Sequence, residues 1–260
     1  MLAYGGPADH LDEYIRMGES TTLESVRHFV RSVVQIYGPH YLRPPTAEEL
    51  DILLQKAESR GFPGMLGSID CMHWEWDKCP TAWQGQFRGH YKKPTIILEA
   101  IASADLWIWH AFFGLPGSLN DINVLHRSPV FDNLAAGNGP QVTYTVNGRE
   151  YNMGYYLGDG IYPEWATLMT AVSRPQSRKQ RLFTTKQHSY RKDVERAFGV
   201  LQAKYAICKG PARMWNHEDL KYIIDCIVIL HNMGIQYERN MQQFRIEDYH
   251  EASDPRLDPN

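Results

Sequence analysis

Cysteine is scarce: the 260 residues carry four, Cys71, Cys79, Cys208 and Cys226, with no CxxC pair and no metal-finger spacing. They read as free thiols in a reducing compartment. No run of eighteen or more apolar residues occurs, and Met1 to Asp12 lacks the basic-then-apolar order of a signal peptide, so a soluble intracellular protein with no membrane role is expected. Neither a Walker loop nor a GxGxxG fingerprint is present, which leaves phosphate-handling enzymes of those folds without support. Positive charge is also short overall, with a formal net charge of −3. The total hides an asymmetry. Between Arg174 and Arg213 stand eleven Lys or Arg against two acids, Asp193 and Glu195, while the tail after Gln236 leans acidic. For a polyanionic partner that local density matters more than the sum.

The composition is 43% apolar and 22% charged, that of an ordinary globular chain, and the length suits one large domain with a smaller attachment. Helical spacing predicts helices over Asp9 to Met17 and Thr21 to Tyr37, with Ser20 or Thr21 as a cap, and Thr46 with Glu49 makes a capping box for a third helix to about Ser59. The first two helices resemble a helix-turn-helix, although a plain packing region accounts for them equally well. After Gly64 strands are expected at Met65 to Trp76, Thr95 to Ala102 and Leu106 to Phe113, the last two as a hairpin about Ser103-Ala104-Asp105. A helix from about Leu119 to Leu125 follows. Ala135 to Gly148, rich in Gly and Asn, reads as a loop. A short strand then ends in Leu157-Gly158-Asp159-Gly160, with a helix from near Glu164, a weak strand at Leu182 to Thr184, and helices at about Tyr190 to Tyr205 and His217 to Met233. Three strands, helix, strand, helix, strand, helix is the order of an RNase H-like fold. The expected class is therefore α/β, a mixed five-stranded sheet flanked by helices. The divisions are a helical region 1–62, a main domain 63–235 and a flexible polar acidic tail 236–260.

In that order Asp70 lies in the first strand, Asp159 at the end of the fourth, and Glu195 on the helix after the fifth. Phosphodiester cleavage without a covalent intermediate commonly uses two divalent cations held by carboxylates, and Mg²⁺ needs only a few such oxygens because it keeps waters. Small Gly158 and Gly160 leave room beside Asp159. Taken alone, an Asp at a strand end is usually a turn former. Helix geometry does not choose between Asp193 and Glu195 either, since each lies about 100° from the apolar stripe of Val194, Phe198, Leu201 and Tyr205.

The strings Gly67-Ser68-Ile69-Asp70-Cys71-Met72-His73, Pro116-Gly117-Ser118-Leu119-Asn120-Asp121, Leu157-Gly158-Asp159 and Val194-Glu195-Arg196-Ala197-Phe198-Gly199, then Leu230-His231-Asn232, resemble the PIF/Harbinger transposases and the nucleases derived from them. The resemblance spans about residues 64–234. It implies a DDE triad of Asp70, Asp159 and Glu195 on an RNase H-like fold, holding Mg²⁺ or Mn²⁺ and hydrolysing DNA. The first motif departs from the family in having Cys71-Met72 where Gly-Thr is common. The resemblance further implies double-stranded DNA as substrate, a separate Myb/SANT-like DNA-binding partner, upstream helices before the N-terminal region, and a nuclear location, or a cytoplasmic one until partnered. It leaves room for a homo-oligomer.

Asp121 has two readings, a further metal ligand or an acid stabilising the positive end of its helix. His73, three residues beyond Asp70 on a strand, points to the opposite face and is not a ligand. For DNA contact the candidates are Arg88, Lys92 and Lys93 in the aromatic-rich stretch Trp83 to Lys93, which an exposed loop with core-plugging aromatics would explain as well, and Arg174, Arg178, Lys179, Arg181, Lys186, Arg191 and Lys192 between two of the acids. The leading expectation is a metal-dependent nuclease or transposase. The alternative is a catalytically silent domesticated transposase kept as a protein- or chromatin-interaction module.

Overall fold

The computed structural model describes residues 1–131 and 139–252. In chain order it contains α1 (Asp12–Ile15), α2 (Glu19–Tyr41), α3 (Ala47–Ser59), β1 (Met65–Glu75), α4 (Thr81–Phe87), β2 (Thr95–Ala102), β3 (Ile108–Pro116) and α5 (Asp121–Leu125). The hairpin strands β4 (Gln141–Val146) and β5 (Arg149–Met153) follow, then β6 (Tyr155–Leu157), β7 (Leu168–Met169), α6 (Arg178–Arg191), α7 (Asp193–Lys204) and α8 (His217–Ala252). Five strands form one mixed sheet in the order β3-β2-β1-β6-β7. Its first three strands pair antiparallel, and β6 and β7 run parallel to β1.

Every residue of β2 is buried, because strands flank it and both sheet faces are covered. Ile96, Leu98 and Ala100 share one face with Trp74 and pack under α2, α7 and α8, against Val30, Val194, Leu201 and Ile227. Ile69 and Ile101 lie on the other face with Leu125, Tyr156, Tyr162 and Leu168. Strand alternation therefore sends Ser68, Asp70, Met72 and Trp74 towards α7, and Ile69, Cys71 and His73 away from it.

Two polar clamps fix the helices. At the start of α7 the Asp193 carboxylate, 1% exposed, receives Arg60 Nη1 at 2.6 Å and also binds Arg196. The Arg60 guanidinium lies 3.8 Å over the Tyr190 ring, and Val194 N donates to Ser68 Oγ at 3.0 Å, joining α7 to β1. On the far side, Asn232 of α8 accepts from Ile108 N at 2.9 Å and donates to Ile108 O and Tyr41 O, both at 2.8 Å. β3 is an edge strand, so this amide satisfies backbone groups at its start that a neighbouring strand would otherwise take. Leu230-His231-Asn232 is thus a structural clasp.

Several sequence expectations are corrected. Leu182 to Thr184 is helical, inside α6, whose Ser177–Gln180 capping box is a sequence signal that outweighs the β-preference of Phe183 and Thr184. The fifth strand is instead the two-residue β7. No helix starts near Glu164, where turns lead into β7, and α7 begins at Asp193 rather than Tyr190. β3 is shifted to Ile108–Pro116, and α8 continues past Met233 to Ala252. Of the loop expected over Ala135 to Gly148, residues 135–138 lie outside the described residues, and Gln141 to Met153 is a hairpin. Its turn, Asn147-Gly148, has φ values of 52° and 79°, the left-handed pair that a two-residue hairpin turn of this kind demands. In the N-terminal region Asp9 to Met17 forms only a 3-10 turn and the four-residue α1, whereas the Thr46–Glu49 capping box is present as read. Arg27 and Arg31 of α2 point at Asp219 of α8, at 2.8 and 3.3 Å, so these cations face another helix.

Removing one member of a buried ion pair strands the other. Asp193→Ala is expected to lower stability by roughly 3–5 kcal/mol in urea unfolding, and Arg196→Ala, whose side chain is 56% exposed, by less than about 1 kcal/mol. Equal effects would show that Arg60 is not the partner that matters.

Candidate active site

Asp70 sits mid-strand on β1, half-buried, facing α7 between Ser68 and Met72. The parallel pairing Ser68 with Leu157 carries the chain leaving β6 alongside β1, so Asp159, two residues beyond Leu157, arrives level with Asp70. One of its oxygens accepts from Ile161 N at 2.8 Å, so the turn-forming role of Asp159 is realised as well. Asp121 opens α5, whose N-cap is Asn120, its Oδ1 accepting from Asn123 N. Upstream, Gly117 permits a close approach: a Cβ there would meet Thr95 Oγ1 at 1.8 Å.

On α7 the structure separates the two acids that sequence geometry left level. Asp193 is buried in its arginine clamp, while Glu195 is 40% exposed and pairs with Arg191 Nη1 at 3.0 Å. Glu195 and Asp121 both act on Asp70 through their charge, and Asp159 acts on Asp121. The four carboxylates therefore occupy one electrostatic neighbourhood. Burial pushes the Asp70 carboxyl up to about 6, and repulsion from Asp121 and then Glu195 adds to it, against the Cys71 backbone N–H and the Arg191 charge. Asp121 is raised too, again chiefly by burial. Repulsion among the acids is the lesser cause.

Among the described residues no three His, Cys, Asp or Glu side chains converge closely enough to hold an ion unaided. The donor chemistry still fits a hard divalent cation. All four groups are carboxylates, and Mg²⁺ is usually held by one or two of them with waters and substrate phosphates completing its shell. Two of them are disfavoured as bare anions by burial, a cost that a cation relieves.

Three neighbours escaped the sequence reading. Tyr162, 3% exposed, places its hydroxyl 3.8 Å from Cys71 Sγ, and its ring fills the space a Cβ of Gly158 would take, at 2.8 Å. Gly158 thus makes room for Tyr162, while nothing approaches a Cβ at Gly160. Gln187 of α6, fully buried, donates to Gly158 O at 2.7 Å and Met169 O at 3.1 Å, pinning the turn before Asp159. Cys71 is half-buried beside Asp121. His73 bonds Thr95 Oγ1 at 2.9 Å, apart from the acids.

Beside Glu195 opens a groove of about 580 Å³ lined by Thr185, His188, Ser189, Lys192 and Arg196. Arg178, Arg181, Thr185 and His188 follow one another at helical spacings of three and four and share one face of α6, and the C-cap Lys192 is next in the series. Lys179 and Lys186 lie on another face, with Lys186 Nζ 5.6 Å over Tyr190. Arg174 is exposed ahead of α6. Arg191 is turned to Glu195, Lys93 to Glu75 at 2.7 Å and Arg88 to Gln84, while Lys92 is exposed.

The profile of the family described as plant transposon protein matches residues 39–242. The chain belongs to this Harbinger transposase-derived nuclease family. It is 25% identical over 242 residues to the ALP1-like protein of Arabidopsis thaliana, covering 91% of this chain and 59% of that one. It is 23% identical over 182 residues to HARBI1 of Bos taurus, named as a candidate nuclease, covering 68% and 48% respectively. The chain therefore spans roughly half the length of these relatives. No solved structure matches it significantly. The family match takes in all four acids and α6, but not α2 before Pro39.

A raised carboxyl opposes folding once ionised. Asp70 costs nothing below about pH 4, where folded and unfolded chains are both protonated. Its penalty grows as pH rises from 3.8 towards 6, where only the unfolded chain has released the proton, and is constant above. Without added metal, Asp70→Asn should match wild-type stability near pH 3.5 and exceed it by up to about 3 kcal/mol at pH 7.5, by denaturant titration at both pH values. A destabilised mutant at pH 7.5 would contradict the burial argument.

Proposed function

We propose that this family member is a divalent-metal-dependent DNA nuclease of the transposase type on an RNase H-like fold. Asp70, Asp159 and Glu195 are its catalytic carboxylates, and Asp121 is a further donor. One observation carries the reading: acids far apart in sequence are brought by β1, the end of β6 and α7 into one half-buried neighbourhood of mutual charge influence. The sheet order, with three antiparallel strands followed by two parallel to the first, supports the RNase H-like assignment.

Bound Mg²⁺ or Mn²⁺ supplies a water of lowered pKa and neutralises charge on the phosphate. The chain's own contribution is placement. Asp70 is held by a regular strand, Asp159 by the turn that Gln187 and Tyr162 fix, and Glu195 by the Asp193 clamp at the start of its helix. Tyr162 closes the floor to water. The α6 face of Arg178, Arg181 and Lys192 meets the phosphates of double-stranded DNA and leads them to the groove beside Glu195. A Myb/SANT-like partner recognises the transposon ends in the nucleus on this reading. A second reading, a silent module retained for contacts, draws on Arg191, which occupies Glu195 where a cation would act.

Cleavage of terminal-inverted-repeat DNA with Mg²⁺ or Mn²⁺, with and without a Myb-like partner, tests the choice. Asp70→Asn, Asp159→Asn and Glu195→Gln should each abolish cutting by a folded protein, and near wild-type cutting by any of them would remove that residue from the triad. Duplex binding should weaken steeply with salt. Reversing Arg178, Arg181 and Lys192 should flatten the log–log slope by about 0.9 for each phosphate no longer neutralised, and reversing Lys179 and Lys186 should change it less. Equal slopes for the two sets would move the DNA path off this face.

A further inference from the structure

The aromatic groups of the stretch Trp83 to Lys93 have different roles. Phe87 is buried edge-on to Trp76, a core plug, and Trp83 stacks on Phe87. Tyr91 does neither. Arg88 and Pro94 pair as an isolated bridge, Lys92 N donates to Gly89 O at 3.2 Å, and Lys92 takes a left-handed φ of 59°. Residues 89–93 therefore form a closed loop with His90, Tyr91 and Lys92 exposed at its tip. The Tyr91 ring centroid lies 4.7 Å from that of His73 and 6.1 Å from that of His90, yet Tyr91 is 58% exposed.

The loop is fixed to the turn that delivers Asp121. A Cβ at Gly89 would fall 2.1 Å from Gly117 O, so only a glycine lets the loop backbone touch that turn, four residues before Asp121. Gly117 N in turn donates to Thr95 O at 2.8 Å, and Thr95 Oγ1 bonds His73 Nδ1 at 2.9 Å. His73 follows Cys71 on one face of β1, about 7 Å along the strand, and Cys71 lies beside Asp121. Tyr91 is thus an aromatic ring backed by His73, open to water in front, with the exposed Lys92 next to it and the acids one step away along β1.

We propose that Tyr91 is a stacking platform for an unpaired base, so that the site takes a DNA strand whose nucleotide next to the acids has left the duplex. This rests on the nuclease reading above. Within a duplex the bases stack on one another, and an aromatic face finds a partner only where that stack is opened. Every base has such a face, so the platform holds the strand without reading its sequence, while Lys92 neutralises the adjoining phosphate.

The test measures binding of the full chain, in chelator so that nothing is cut, to a blunt duplex and to the same duplex with a short single-stranded extension. Wild type should prefer the extended DNA about tenfold, the effect of one stacked base. Tyr91→Ala should lose that preference while keeping its melting temperature and its affinity for the blunt duplex, and Tyr91→Phe should keep the preference because the ring does the stacking. Lys92→Gln should flatten the log–log salt slope on the extended DNA by about 0.7, one single-strand phosphate. The proposal is overturned if Tyr91→Ala binds both DNAs as wild type, or if Tyr91→Phe fails as Tyr91→Ala does. It is also overturned if Tyr91→Ala melts lower and loses both affinities together, since Tyr91 would then be a support for His73. Wild type that cuts duplex with Mn²⁺ but shows no preference for the extension removes the platform and leaves the nuclease reading. A preference abolished by Tyr91→Ala, in a protein that cuts with neither Mg²⁺ nor Mn²⁺, keeps the platform and removes the nuclease reading.

Discussion

The Arg60–Asp193 ion pair sets the rotation of α7, and the candidate site depends on that rotation. Two residues along an α-helix turn by about 200°, so with Asp193 held on one flank of the apolar stripe Glu195 is turned to the other. The Val194 N–Ser68 Oγ bond fixes the height of the helix along β1, because Ser68 and Asp70 are successive residues on one face of that strand. The pair is well built for this purpose. Its carboxylate is met by two arginines, and Arg60 is itself packed over Tyr190 at the end of α6, which ties the orientations of α6 and α7 together. An apolar pair of similar volume could be as stable, but it would not distinguish one acid of α7 from the other.

The sequence was legible where a physical signal was local and strong. β2 is read to the residue because its apolar run is unbroken apart from Glu99, and α3 because Thr46 and Glu49 both act at its first turn. The candidate acids were chosen through motif resemblance and spacing, since helix geometry alone could not separate Asp193 from Glu195. That choice is made by Arg60, more than 130 residues away, a tertiary contact that no local rule contains. Other features were legible but unread: Ser177 with Gln180 announces a helix where a strand was expected, and Asn147-Gly148 announces a hairpin where a loop was expected. Tyr162 and Gln187 carried no such signal, because their roles arise from tertiary contacts, packing against Gly158 and hydrogen bonds to the Gly158 and Met169 carbonyls.

Burial, more than mutual repulsion, makes Asp70 and Asp121 costly as anions. The difference has consequences for how these carboxyl groups are stabilised. Repulsion can be relieved by a small rotation that parts two charges, whereas desolvation persists until a counter-charge enters or the group takes a proton. Arg191 supplies part of that counter-charge from within the chain: it pairs with Glu195 and lowers the burden on Asp70. Its contribution is limited, because an exposed i,i+4 pair is worth only a few tenths of a kcal/mol. Glu195 is therefore held weakly, while Asp193, two residues earlier, is locked in a buried pair.

The helix α6 has opposite duties on its two sides. Its outer face carries Arg178 and Arg181, with Lys192 as its C-cap, and its inner side sends Gln187 into the core to hold the carbonyls of Gly158 and Met169, the backbone that delivers Asp159. A helix is stiff over its 14 residues, so these groups cannot move independently. On the nuclease reading, phosphates drawn to the outer face and the carboxylate that must meet the scissile phosphate are then registered to one rigid element. A loop could present the same cations, but it would not transmit their position to Asp159. This is the physical reason for placing the basic segment between the second and third acids, where the chain must in any case cross from the sheet edge back to α7.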